Sequence, residues 1–477
     1  MIVPIPSSEA SADRQGSFHS AYVWLVASAG ALGGLLFGYD WVVIGGAKPF
    51  YERYFQLDSP SIEGWAMSCA LIGCLIGGIS SGGLSNRFGR KRLLTVAALV
   101  FGFSSLGTGM ASHFTAFVAW RMCGGFAIGL ASGISPMYIA EISPAKLRGR
   151  LVSLNQLAIV FGILLAQVVN WLIARPVPLG ATAQEILLSW NGQWGWRWMF
   201  AVTAIPSIVF FVATLLVPES PRWLASRGRD QQALRVLERL GGRAYAKQVL
   251  KDFKTASEAK PQHSVFRELS SLGMAKVLVL GVVLAVLQQW CGINVIFNYA
   301  QEIFAAAGYQ VSDILFNIVV TGAVNVVFTL VALFTIDRYG RRFLLLTGIS
   351  GLVVVYVVLG MFYRLHIQGK PLLVLVLAAI ACYAMSLAPA TWVVIAEIFP
   401  NRVRSGAMSI AITALWTACF LLTYTFPLLN AVLGAAGTFG TYAGICLTGL
   451  VFLYIRLPET QGKSLEEIEM NLRLGKS

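Results

Sequence analysis

"EISPAKLRGR", residues 141–150, occurs a second time as "EIFPNRVRSG", residues 397–406. Each copy follows a long apolar run and holds a glutamate, a proline and an arginine at one common spacing. Two other motif pairs repeat in the same order, namely "NRFGRK" (86–91) with "DRYGRR" (337–342) and "PES" (218–220) with "PET" (458–460). Such repeats indicate a chain built from two similar halves, as in many membrane carriers.

Long apolar runs separate these motifs. Of the 477 residues, 57% are hydrophobic and 12% are charged, and the mean hydropathy is +0.70. Soluble domains carry about 25% charged residues. A membrane helix needs about 20 apolar residues, and the first run is too long for a cleaved signal peptide. We therefore predict an all-α, multi-pass integral membrane protein with twelve spans, at 21–47, 62–84, 93–112, 114–140, 151–173, 197–217, 274–306, 311–336, 343–364, 371–398, 406–430 and 436–456.

The net charge of +14 is distributed unevenly. Lysines and arginines crowd alternate loops, whereas the predicted loop 48–61 holds only Lys48 and Arg53. Cytoplasmic loops carry such an excess of positive charge. The pattern predicts that both termini are cytoplasmic and that the chain lies in the plasma (inner) membrane. The positive charges are therefore expected to lie beside the lipid bilayer, and we expect no nucleic-acid partner.

One long polar stretch, 218–273, separates six predicted spans from the other six. Within it, Ala233, Leu237 and Leu240 follow the periodicity of a short amphipathic helix. A disordered linker is the alternative. The predicted organisation is an N-terminal tail (1–20), a six-helix bundle (21–217), a cytoplasmic linker with short helices (218–273), a second six-helix bundle (274–456) and a C-terminal tail (457–477).

The seven cysteines all fall within apolar runs, and the four histidines lie in tails or loops. Neither residue type shows the clustered spacing of a metal site. The cysteines are therefore predicted to be small buried hydrophobic residues. We expect no metal and no cofactor. We also find no reactive constellation of the kind that an enzyme needs.

Several signatures resemble those of the sugar porter family in the major facilitator superfamily. They are "GGLSNRFGRK" (82–91), "PMYIAEISPAKLRGR" (136–150), "PESPRWL" (218–224), "QQWCGIN" (288–294) and "PETQGKSLEEIE" (458–469). Within that family they look most like bacterial D-xylose–proton symporters. The resemblance implies twelve helices in two pseudo-symmetric six-helix bundles, alternating access, a monosaccharide substrate and no obligate protein partner.

Charged residues at the ends of the spans have two interpretations. They are topological anchors, or they clamp the cytoplasmic ends of the two bundles together and separate when the carrier opens inward. The resemblance favours the clamp. It implies an inner gate formed by Arg87, Arg90, Glu141, Arg148, Asp337, Arg338, Arg341, Glu397 and Arg404.

Two opposite charges lie well inside predicted spans, Asp40 in the first and Arg121 in the fourth. Asp40 is seven residues before the end of its run, and Arg121 is seven residues after the start of its own. A helical rise of about 1.5 Å per residue places both about 10 Å below the outer surface. They are predicted to pair, with Gly125 and Gly129 allowing another helix to approach the fourth span.

This pair suggests how protons are coupled to transport. A carboxylate beside an arginine stays ionised, whereas one alone in a low-dielectric cavity takes up a proton. Separating Asp40 from Arg121 therefore loads a proton, and bringing them together releases it. The resemblance agrees, because proton-coupled members carry aspartate here and facilitative relatives generally carry an uncharged residue. The alternative is a permanent structural ion pair.

The seventh run, "QQWCGINVIFNYA" (288–300), holds four amide side chains. Amides in a membrane helix are costly unless they face a cavity, and sugar hydroxyls need groups that donate and accept. Gly292 is predicted to break this helix and turn the amides inward, although amides also join helices. By resemblance the sugar-contacting residues are Gln156, Gln288, Gln289, Asn294 and Trp392, with Phe37, Tyr299, Asn325 and Trp416 nearby.

Some positions depart from the family pattern, including Ile163, Asn298 and Leu415. Because of these departures, the resemblance does not indicate which monosaccharide is the substrate. The favoured function is a proton-coupled monosaccharide symporter with the proton as coupling ion. A facilitative uniporter is the alternative, and a sugar receptor with a transporter fold is a remote one.

Overall fold

A computed structural model describes residues 18–144, 147–178, 181–258, 272–309, 311–399 and 404–459. The first half holds spans 1 to 6, formed by Ser20–Phe55, Pro60–Phe88, Arg90–Met110, Phe114–Ile142, Arg148–Ile173 and the consecutive helices Asn191–Gly195, Trp196–Ala201 and Ala204–Leu216. Span 7 comprises Leu272–Trp290, Ile293–Asn298 and Ala300–Ala306, span 8 is Val311–Tyr339, span 9 is Arg341–Arg364, and span 10 comprises Lys370–Met385 and Leu387–Ile398.

Spans 11 and 12 belong to one continuous helical segment, Arg404–Arg456. Within it, 51 residues satisfy the length and hydropathy of a membrane helix, which makes about 76 Å of helix against about 30 Å of hydrocarbon. Gly434 has φ 65° and ψ 177° and breaks the segment. Among the described residues, eleven helical segments are long and apolar enough to cross a membrane. Because the last of them is long enough for two spans, the total is twelve, as the sequence predicts.

Consecutive spans run in opposite directions, so their ends fall on two faces of the molecule. The face that carries Ser20 and Arg456 is called the terminal face, and the opposite one the far face. Two helices, Pro221–Ser226 and Asp230–Glu258, follow span 6. The backbone N–H of His19 donates to the carbonyl of Leu240 at 2.8 Å, which places the second helix at the terminal face.

The predicted amphipathic helix is present within Asp230–Glu258. Ala233, Leu237 and Leu240 are fully buried, while charged residues between them remain exposed. Gly242, at φ 75°, kinks this helix after Leu240.

Glycines allow spans 2 and 4 to approach closely. Gly125 packs against the carbonyl of Ala70 and Gly129 against that of Cys74, both on span 2. The prediction that these glycines let another helix approach is confirmed, and that helix is span 2. Span 1 reaches span 4 through its own Gly33 instead. Periodicity identifies a bare helix face but does not identify the helix that packs against it.

The lateral surface is apolar, with side chains such as Leu216, Phe103 and Phe334 exposed by 66–81%. Such a surface suits lipid. Cys123 is also exposed, so the prediction that all seven cysteines are buried is wrong for this one. The seven are free thiols.

Candidate functional site

Asp40 and Arg121 form an ion pair in the interior of the first half. Arg121 Nη1 donates to Asp40 Oδ1 at 2.5 Å, and the side chains of Arg121 and Asp40 are 5% and 10% exposed. The guanidinium also lies 5.4 Å from the centre of the Phe200 ring. Arg121 Nε is buried without a hydrogen-bond partner among the described residues. Removing either charge would therefore leave the other uncompensated in the interior, at a large cost.

The pair lies in a cavity that both halves of the chain line. Asn298 reaches it from span 7, and its Oδ1 is buried and unpaired among the described residues. This residue departs from the family pattern, and through it the helix Ile293–Asn298 lines the cavity of the ion pair. The other lining residues include Phe37, Trp41, Met67 and Cys74.

Three of the predicted sugar-contacting amides form one hydrogen-bonded chain. Gln288 Nε2 donates to the carbonyls of Leu387 and Ala388 in span 10, at 3.3 and 3.4 Å. Gln289 Nε2 donates to Gln288 Oε1 at 3.4 Å, and Asn294 Nδ2 donates to Gln289 Oε1. The chain therefore joins span 7 to the break between the two helices of span 10.

Gly292 makes this chain of amides possible. It has φ 84°, a conformation that L residues other than glycine rarely adopt, and it separates the helices Leu272–Trp290 and Ile293–Asn298. Gln289 and Asn294 would point about 140° apart on a straight helix, but the break brings them into contact. The predicted break in span 7 is confirmed.

Aromatic side chains from both halves meet beside the ion pair. The Phe37 and Trp416 rings lie 5.7 Å apart, and Trp41 lies 6.3 Å from Trp416. The sequence analysis did not include Trp41 among the candidate site residues. Its position directly after Asp40 could have indicated that it lies near the ion pair. Tyr299 donates its hydroxyl to the carbonyl of Thr423 at 2.7 Å, which holds span 7 on span 11.

The other predicted sugar contacts are spread over further spans. Asn325 of span 8 is buried, whereas Gln156 of span 5 and Trp392 of span 10 are half-buried. Leu415 and Ile163, two of the positions that depart from the family pattern, are buried.

At the far face, Lys48 forms a cluster with acidic residues that the sequence did not predict. Its Nζ contacts the carboxylates of Glu52 and Glu302 and lies 3.7 Å from Glu63. The sequence alone predicts Lys48 in the loop 48–61, because the first apolar run ends just before it. Span 1 instead continues through Pro49 to Phe55. Lys48 and Glu52 are four residues apart, which is the spacing of an ion pair along one helix. This spacing could have indicated that span 1 continues beyond Lys48.

At the terminal face, Arg90 is a structural partner of Glu141 within the first half. Arg90 Nη2 and Nε lie 3.0 Å from the two carboxylate oxygens. Glu219 of "PES" accepts the backbone N–H groups of Arg90 and Lys91 at 2.9 and 3.0 Å. The first N–H groups of a helix lack partners inside it, so Glu219 caps span 3.

The second half repeats this arrangement. Glu459 of "PET" accepts the backbone N–H groups of Arg341 and Arg342 at 3.2 and 3.1 Å, and Arg341 lies 3.4 Å from Glu397. Gly89 and Gly340 precede the capped helices with φ 98° and 86°, which explains the glycine in both repeats. The sequence showed the two PE motifs, but not that they cap spans 3 and 9.

These ion pairs join spans of one half rather than the two halves. Arg87, Arg148 and Arg338 are exposed. Burial raises the pKa of Tyr245 on the helix Asp230–Glu258, and the charge of Arg148 partly offsets this rise. The side chains of Asp337 and Arg404 lie outside the described residues. Among the described side chains, the gate residues form the ion pairs Arg90–Glu141 and Arg341–Glu397, and each of these pairs lies within one half.

Comparison with known proteins gives a consistent result. Residues 26–472 match the family described as "Sugar (and other) transporter". The D-xylose-proton symporter of Escherichia coli (strain K12) is 36% identical, over 95% of this chain and 96% of the relative. The arabinose-proton symporter of Bacillus subtilis (strain 168) is 37% identical, also over 95% and 96%.

Solved structures of the xylose transporter of E. coli match the fold. A partially occluded inward-open structure has a TM-score of 0.82 and 34% identity, covering 93% of this chain and 100% of that chain. A structure bound to 6-bromo-6-deoxy-D-glucose has a TM-score of 0.77 and 35% identity, covering 95% and 99%. These matches confirm the twelve-helix major facilitator fold.

Proposed function

The chain belongs to the sugar (and other) transporter family, and on that premise we propose that it is a monosaccharide–proton symporter that works by alternating access. The observation that carries this proposal is the shared cavity of Asp40, Arg121 and Asn298. It puts an ionisable pair next to the helix that bears the amide chain. A change in the position of span 7 therefore alters the surroundings of the ion pair, which coupling requires.

The orientation that we propose follows the positive charges. The terminal face is cytoplasmic and the far face is outside, in the plasma membrane. Two observations support an inward-facing state. At the far face, Gly64 of span 2 packs on the carbonyl of Tyr424 in span 11. Toward the terminal face, a Cβ added at Gly82 or Gly83 of the same span would meet no atom of the described residues within 4 Å.

In this state Asp40 and Arg121 are joined as an ion pair, and the step that we propose for proton binding is the one in which the two side chains separate. The relatives are named as D-xylose and arabinose symporters. A pentose is therefore the first substrate to test. The proton is the coupling ion that we propose for this chain.

Sugar uptake into proteoliposomes tests the proposal. Wild-type protein should concentrate D-xylose or L-arabinose when a proton gradient is imposed, whereas Asp40→Asn should exchange labelled sugar without concentrating it. One charge moving through 100 mV supplies about 2.3 kcal/mol, which sustains about 50-fold accumulation. Gradient-independent uptake by the wild type would indicate a facilitative uniporter. Continued accumulation by Asp40→Asn would show that the proton binds elsewhere.

A further inference from the structure

The Lys48 cluster is a buried charge cluster that the transport site does not use. The lysine side chain is only 3% exposed, and its Nζ is 5.4 Å from the centre of the Tyr299 ring. Lysine is almost never buried to this extent without a partner. Its carboxylate partners, Glu52, Glu63 and Glu302, are 18–28% exposed.

The charges in this cluster do not balance when all of its members are ionised. One ammonium faces three carboxylates, and Glu302 Oε2 is buried without a hydrogen-bond partner among the described residues. The nearby cation Arg121 is bound to Asp40. Carboxylates that share one site do not all ionise readily, because their charges repel each other.

The other polar groups around the cluster are directed elsewhere. Arg53 donates to the carbonyl of Pro49 at 2.8 Å. The Tyr51 hydroxyl donates to Met67 Sδ, and the Tyr299 hydroxyl donates to the Thr423 carbonyl. Arg53 also interacts electrostatically with Glu52, but among the described residues the ammonium of Lys48 is the cation that lies within 4 Å of all three carboxylates.

The cluster also joins the two halves of the chain. Lys48 and Glu52 lie on span 1, Glu63 lies on span 2, and Glu302 lies on the last helix of span 7. Close by, Gly45 of span 1 packs on the carbonyl of Asn298 in span 7. The cluster is therefore complete only while the far ends of spans 1 and 7 are together.

We propose that Lys48, Glu52, Glu63 and Glu302 form an outer latch that binds one proton as it closes. The proposal rests on the proposed function for the assignment of the far face to the outside. When the outer ends meet, a proton passes from external water to one of the carboxylates, and the remaining charges surround Lys48. The same proton returns to external water when the latch opens. It is distinct from the proton that Asp40 carries, and external acid favours the closed latch.

Distance measurements by electron spin resonance test the latch without any transport. Spin labels are attached at positions 61 and 365, which are exposed near the far ends of spans 2 and 9. A non-canonical amino acid carries each label, so the seven native cysteines are untouched. The full-length protein is studied in lipid nanodiscs without sugar, between about pH 5.5 and about pH 8. Uptake of one proton on closing predicts a closed-to-open ratio that falls by up to about tenfold per pH unit.

Three variants distinguish an effect on the latch from a general loss of stability. Lys48→Met should lower the closed-to-open ratio at neutral pH by at least about tenfold, because the buried carboxylates lose their cation. Glu302→Gln keeps the size of the side chain and removes one negative charge, so it should stay closed and lose its pH dependence. Lys370→Met, which removes an exposed lysine near the same face, is the matched control and should behave as wild type.

The proposal is overturned if the wild-type ratio does not change with pH, or if Glu302→Gln retains the full pH dependence. It is also overturned if Lys370→Met opens the protein as much as Lys48→Met does. Because the measurement uses neither sugar nor a gradient, a protein that proves to be an uncoupled uniporter leaves this test intact.

Discussion

Replacing Asn294 by alanine tests the amide chain as the sugar site. Asn294 Nδ2 donates to Gln289 Oε1, and both residues are buried, at 6% and 7% exposure. The truncation removes one donor and one acceptor from the amide chain that we propose as the sugar site. It also leaves Gln289 Oε1 without this donor, so both folding and binding are affected.

The size of the effect on binding follows from the groups left unpaired. A buried polar group that loses its partner costs about 1–3 kcal/mol. Applied to the sugar hydroxyls that Asn294 would contact, this cost corresponds to a loss of affinity of about 5- to 150-fold. The next link, from Gln289 to Gln288, remains because it does not depend on Asn294.

Calorimetric titration of the purified protein with D-xylose, L-arabinose and D-glucose measures this loss. The matched control is Asn191→Ala, because Asn191 is also buried and hydrogen-bonded, to the backbone of Arg175. The control should lower the thermal unfolding temperature and leave the affinity unchanged. Wild-type affinity in Asn294→Ala, or an equal loss in Asn191→Ala, would show that the amide chain does not bind the sugar.

Two further predictions concern topology and the helix caps. Reporters fused after Ser477 or inserted near Lys260 should be cytoplasmic, and one near Ser59 should be external; an external signal near Lys260 would contradict the proposed orientation. Glu219→Ala leaves the first N–H groups of span 3 without their acceptor and should destabilise the protein by about 1–2 kcal/mol. Thermal unfolding in detergent measures this, with the surface variant Glu238→Ala as control, and equal unfolding temperatures would contradict the capping role.

The twelve spans were predictable because their signal is local. Each span needs a run of apolar residues, and the repeated motifs mark the same ends in both halves. The break at Gly292 was also predictable, because amides on opposite sides of a membrane helix reach one cavity only if the helix breaks between them, and glycine permits that break. The equal depths of Asp40 and Arg121 likewise depend only on helical rise and opposite charge.

The remaining features depend on contacts between distant parts of the chain. Lys48 resembles a loop residue until Glu302, 254 positions away, is placed beside it. The partners of Gly125 and Gly129 depend on the tilt of span 4, which periodicity does not determine. The partners of the gate arginines could not be assigned from sequence either, because they lie on distant parts of the chain; Glu141, for example, is 51 positions from Arg90.

Span 1 carries both the ion pair and the latch, and this arrangement suggests how the two act together. Lys48 follows Asp40 by eight residues, so the two side chains lie about 12 Å apart along the helix and about 80° apart around it. Asp40 therefore faces Arg121 in its own half while Lys48 faces Glu302 in the other half. Opening the latch moves the far end of this helix relative to span 7, which lines the cavity of the ion pair through Asn298. If both proposals hold, Lys48→Met alters the pH dependence of sugar uptake while the Asp40–Arg121 pair stays chemically intact, and Asp40→Asn abolishes accumulation while the latch still responds to external pH.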